Sequence, residues 1–140
     1  MGLIWADIEL IRGADLVLFR EKIITKDKIR KLKTKALVDS GAYMLAINEA
    51  IKHQLDLHKT DERIAEMADG SKKLLEVVGP IEIRFENRRT SVDAMVLPGD
   101  SEVLLGAIPL EDLDVVLDMK NQKLIVNPES PYISKKPLKK

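Results

Sequence analysis

The chain has 140 residues, the size of one ordinary domain, and 45% of them are apolar, enough for a true core. Its 23 basic and 23 acidic side chains cancel, which argues against a dedicated nucleic-acid-binding protein and gives no long-range pull towards an anionic membrane. There is no cysteine, so disulfides, iron–sulfur clusters, thiol nucleophiles and cysteine-based zinc sites are excluded.

No apolar run reaches the roughly 18 residues that cross a bilayer. The opening MGLIWADIEL carries acids and lacks the basic start of a signal peptide, so a soluble, cytoplasmic protein is expected. Ile4 to Ile11 reads as a strand, with Ile4, Ala6, Ile8 and Leu10 on one face. Arg12-Gly13-Ala14-Asp15 reads as a turn and Leu16 to Ile24 as the returning strand. Residues 20–35 hold eight basic and two acidic side chains and are expected to include a solvated loop around Thr25 to Lys28. Thr34 to Val38 re-enters the core and ends at Asp39-Ser40-Gly41.

Asn48 is a good N-cap for a short helix with Ala50, Ile51, Gln54 and Leu55 on its inner side. Arg63 to Ala68 and Lys72 to Val77 flank Asp69-Gly70, a hairpin signal. Gly79-Pro80 punctuates, and Ile81, Ile83 and Phe85 then alternate with charges as a half-buried strand does. Asn87-Arg88 reads as a turn and Ser91 to Leu97 as a strand stopped by Pro98-Gly99. Val103 to Gly106 is short and wholly apolar, which implies burial on both faces. Pro109 to Leu113 reads as a second short helix with proline in its first turn. Val115 to Leu117 and Lys123 to Val126 bracket a last turn. A domain over residues 1–127 is expected, then an extended or disordered Pro/Lys-rich tail over 128–140. Many short strands with turns between them predict a mostly β barrel or sandwich.

An aspartate at the end of a buried strand has to be paired, hydrogen-bonded or functional. Asp39 is in that position, and Gly41 permits a tight turn with its amide aimed at the carboxylate. Alone, Asp-Ser-Gly is a common turn. In context, ALVDSGA at residues 36–42 resembles the active-site signature of retropepsin-like aspartic proteases. In that family a second buried motif, two apolar residues and a glycine, comes later and precedes a short helix. Leu104-Leu105-Gly106 has that form, and Ala107 to Leu110 follows it. A flap hairpin lies between the two motifs in the family, and Asp69-Gly70-Ser71 is in that interval.

The resemblance implies a closed β-barrel with a flap hairpin and two short helices. It implies that Asp39 is the catalytic carboxylate, supported by Ser40, Gly41 and Ala42. Asp69 to Ser71 would form the flap tip, and Leu105 and Gly106 would pack behind the catalytic loop. Peptide hydrolysis by this route uses two carboxylates that share a proton. A chain with one Asp-Ser-Gly then requires a homodimer, with a peptide or protein substrate and no metal or other cofactor. Val77, Ile81 and Leu105 are candidate linings of substrate pockets. The sequence departs from viral members where Tyr43 and Ala107 replace charged residues, and where Leu124 to Val126 is followed by a tail instead of ending the chain.

Two other functions are compatible with these residues. One is an inactive relative of the same fold that binds peptides or serves in assembly. The other is an anion- or nucleic-acid-binding module using residues 20–35, which the zero net charge opposes. His53 and His58 lack the spacing of a helical metal pair, and Asp112, Asp114 and Asp118 do not match a calcium loop.

Overall fold

The computed structural model describes residues 3–138. The first two residues of the expected domain and the last two of the expected tail lie outside them. Strand β1 (Trp5–Arg12) buries Ala6, Ile8 and Leu10 and turns Trp5, Asp7 and Glu9 outward, as its alternation predicts.

The next segment differs from expectation. Gly13–Arg20 is a helix, α1, not a turn and a returning strand. The run Leu16 to Phe19 is apolar at every position, so it carries no period-two signal. Asp15 decides the outcome. Its carboxylate is buried in the first helical turn, where negative charge suits the helix N-terminus. It accepts from Arg12 Nη1 at 2.6 Å and from the Arg30 amide at 2.9 Å. Burial alone would raise the Asp15 pKa, but these donors and the two guanidinium charges outweigh it and hold it low.

A single 3₁₀ turn (Lys26–Lys28) leads to β2 (Lys31–Val38). Lys33 and Lys35 on its outer face are in register with Glu9 and Asp7 of β1, and Lys35 Nζ reaches Asp7 at 3.1 Å. This part of the basic stretch therefore meets opposite charge across the strand pair.

Strand β3 (Leu45–Asn48), which sequence reading passed over, leads into α2 (Glu49–Gln54). Asn48 is its cap, accepting from the Ile51 amide at 2.9 Å. Ile51 and Leu55 face inward, whereas Ala50 and Gln54 are exposed, contrary to expectation.

Strands β4 (Lys59–Glu66) and β5 (Lys72–Phe85) form the hairpin around Asp69-Gly70. Gly79-Pro80 does not end β5. The register to β6 (Arg88–Leu97) passes from Val78↔Ala94 to Ile81↔Val92, so β5 absorbs one extra residue as a bulge and continues. Glu86 and Asn87 make the β5–β6 turn, and Arg88 already belongs to the strand.

The chain then forms β7 (Val103–Leu105), α3 (Ala107–Leu113), β8 (Val115–Asp118) and β9 (Lys123–Val126). Strands β1, β2, β7, β3, β6 and β5 follow one another in a sheet that closes through β5–β1 pairing into a six-stranded barrel, with β4 extending it beyond β5. The β2–β7 and β3–β6 pairs are parallel. Inward residues of every barrel strand, among them Leu10, Ala36, Ile47, Ile83, Ala94 and Leu105, form one core. This is the mostly β closed barrel with a hairpin and short helices that the resemblance implies, with α1 as an additional helix.

Strands β8 and β9 form a separate two-stranded sheet. Strand β9 is thus paired within its own chain. Among the described residues the segment after it, 127–138, has neither helix nor strand, yet it is fastened to the barrel. Asp114 accepts from Ser130 Oγ at 2.6 Å, Asn127 Nδ2 at 3.0 Å and the Lys135 amide at 2.8 Å. Those donors, Ser130 first, hold the Asp114 carboxyl well below the usual carboxylate range. Arg88, buried at the start of β6, donates to the Ser130 carbonyl. Among the described residues no helix is long and apolar enough to cross a membrane.

Candidate active site

Strand β2 delivers Asp39 to the end of the barrel. The Asp39 amide still bonds to the Leu105 carbonyl at 3.1 Å, one residue beyond the last paired residue of β2. The chain then turns sharply, with the Ala42 amide donating to the Asp39 carbonyl at 3.0 Å. Inside that turn the Gly41 amide donates to Asp39 Oδ1 at 3.0 Å, which fixes one carboxylate oxygen. The side chain remains half-buried, open on one side to solvent, and Ser40 beside it is exposed.

The second motif holds this turn from behind. A Cβ on Gly106 would stand 2.3 Å from the Met44 carbonyl oxygen and 2.8 Å from that of Ala42. Only glycine admits so close an approach of two backbones. Just after it, the Ala107 and Ile108 amides, unpaired within α3 because they begin it, donate to the Ala42 and Tyr43 carbonyls at 2.8 and 3.0 Å. Leu105 is fully buried beneath.

The β4–β5 hairpin overhangs the loop. At its tip the Met67 amide donates to the Ser71 carbonyl at 2.7 Å, and Gly70 takes a φ of 86°. Asp69 Oδ1 accepts from both the Ser71 hydroxyl, at 2.6 Å, and the Ser71 amide, at 2.9 Å. The hydroxyl bond chiefly lowers the Asp69 pKa.

Between hairpin and loop lies a cleft of roughly 700 Å³. Asp39, Gly41 and Ala42 line one wall and Ile64, Met67 and Ala68 of the hairpin line the other, with Met95, Leu97 and Leu104 between. The tip residues Asp69, Gly70 and Ser71 are not among the lining; the chain just before them is. Ile81 and Leu105, two of the expected linings, are instead buried in the core, and Val77, in register with Met95, is buried without lining the cleft. Strand periodicity explains the correction for Leu105, because Leu104 and Leu105 point to opposite faces and only Leu104 reaches the cleft. Met95 and Leu97 alternate in the same way with the buried Ala94 and Val96, a signal that assigning faces along β6 would have read.

Residues 26–107 match a family model described as aspartyl protease, more than half of the 140-residue chain. This chain belongs to the aspartyl protease family. The matched segment begins just before β2 and ends on the first residue of α3, so it contains the Asp39 turn, the hairpin and the Leu104-Leu105-Gly106 motif. No individual curated protein matches the chain. The two positions beside the site at which the sequence departs from viral members carry no charge. Tyr43 is exposed after the Asp39 turn, and Ala107 follows Gly106.

Proposed function

We propose that the chain is an aspartic endopeptidase, active as a homodimer in which Asp39 of each copy supplies one carboxylate. The position of Asp39 carries the reading. It is half-exposed at the wall of an apolar cleft, one oxygen is fixed by the Gly41 amide, and its turn is clamped by Gly106. A catalytic group has to be held to a fraction of an ångström, and this backbone lock supplies such rigidity.

A peptide lies extended in the cleft, pairing its backbone with the hairpin and placing side chains against Met95, Leu97 and Leu104. One Asp39 is ionised and takes a proton from water as the water oxygen attacks the scissile carbonyl. The other is protonated and donates to the carbonyl oxygen. The tetrahedral intermediate collapses when a proton passes to the leaving nitrogen and the C–N bond breaks. Two like charges so close share one proton, which supplies both roles from identical residues. The chemistry requires no metal or other cofactor.

Digestion of a peptide library from pH 4 to 7 with the wild type and with Asp39→Asn tests the reading. Cleavage by the wild type alone, blocked by a statine-type transition-state analogue, is expected. A folded dimer that cleaves nothing would favour a peptide-binding or assembly module of the same fold.

A further inference from the structure

We propose that Arg63 selects the substrate, favouring peptides that place a carboxylate side chain, aspartate or glutamate, beneath the hairpin beside an apolar stretch. The proposal deepens the proposed function and rests on its reading of the cleft as the peptide site.

Strand pairing sets which side chains of β4 look inward. Residues directly opposite each other share a face. Arg63 is opposite Leu75 and Asp61 is opposite Val77, and both partners are buried. Arg63 and Ala65, continued by Met67, therefore form the underside of the hairpin. Ile64 and Glu66 belong to the other face, where Ile64 and its partner Leu74 are exposed. Two charged side chains of β4 line the cleft, Arg63 from the inner face and Glu66 from the outer one. Among the described residues Arg63 is also the one cation in that lining.

The guanidinium is held in place but little used. Its Nη1 donates to Met44 Sδ at 3.7 Å, which ties it to the chain leaving the Asp39 turn. A thioether is a weak acceptor. The Asp61 carboxylate is 3.5 Å from Nε, and both side chains are at least half exposed. That separation exceeds the about 2.7–2.9 Å of a charge-assisted bond, and an exposed pair holds little. Arg12 and Arg84, by contrast, hold buried carboxylates at 2.6 and 2.7 Å. Arg63 thus keeps a planar fork of donors open to the cleft, the geometry that grips a carboxylate through two parallel bonds.

The rest of the lining discriminates less. Met44, Met67 and Met95, three of the chain's five methionines, line the same cleft. Their flexible thioethers adapt to apolar side chains of different shape. Charge is then the property the cleft reads most sharply. In the homodimer each copy brings its own Arg63, so an acidic side chain is favoured on each side of the scissile bond.

A library of decapeptides with a fixed Leu-Phe centre and a single Glu, Gln or Lys at each other position tests the proposal at about pH 6, where glutamate is ionised. Cleavage by the wild type and binding to Asp39→Asn, by fluorescence anisotropy, are read in parallel, with circular dichroism as the check on folding. At one position on each side of the centre, Glu should be preferred to Gln by about 5-fold, the size of a partly exposed charge-assisted bond. Arg63→Gln should level the two, and Arg63→Glu should turn the preference towards Lys, a reversal that a merely structural arginine would not give. No preference for Glu in either readout, or a preference that survives in both variants, would overturn the proposal. Glu-selective binding without cleavage would uphold Arg63 and sink the proposed activity. Cleavage without Glu selectivity would do the reverse.

Discussion

Gly106 and Asp69 show how single residues set the site. Gly106→Ala puts a methyl group 2.3 Å from the Met44 carbonyl oxygen, against backbone that cannot swing aside. The variant should lose about 3 kcal/mol in urea unfolding, at the upper end for overpacking, and should lose activity further as the Asp39 turn is pushed out of place. Asp69 braces the hairpin tip through Ser71. Its pKa is depressed on folding, so the brace is fully present above the ordinary carboxylate range and is lost as pH falls through the lowered value. A carbon-detected titration should find the Asp69 midpoint below that of an unstructured aspartate, and Ser71→Ala should raise it, leaving the Ser71 amide bond in place. An unchanged midpoint in Ser71→Ala would contradict the assignment.

At the scale of elements, adjacent residues of β7 have opposite duties. Leu105→Ala empties part of the core and should cost about 3 kcal/mol. Leu104→Ala should cost less than about 1 kcal/mol and instead shift cleavage towards larger apolar side chains, read from a peptide library. Sequence patterning found most elements because their signals are local. The alternation of β1, the Asn48 cap and the Asp69-Gly70 turn are each legible within a few residues, whereas the Asp39 and Gly106 motifs stand out only through their resemblance to a known family. The misreadings share a different cause. Helix α1 depends on Asp15 meeting Arg30, and β5 crosses Gly79-Pro80 because β6 supports it on the far side of the bulge. The cleft wall at Met95 and Leu97 is different, because the alternation along β6 with buried Ala94 and Val96 carries its signal locally.

The whole molecule extends past the segment that identifies its family. Residues 127–135 donate to Asp114, at the C-terminal end of α3, and the other end of α3 clamps the Asp39 turn. Truncation after Val126 removes the Ser130 carbonyl from buried Arg88 and should cost about 2 kcal/mol in urea unfolding. A truncated chain as stable as the full one would show that the fastening is incidental. Two such molecules, each with one Asp39, are required for one active site under the proposed mechanism. Mixing wild-type and Asp39→Asn chains at constant total concentration, refolding them together and measuring peptide cleavage tests that requirement most directly. Random pairing predicts a rate that falls as the square of the wild-type fraction, because only dimers with two intact carboxylates work. A rate linear in the wild-type fraction would place a complete site within one chain and contradict the shared dyad.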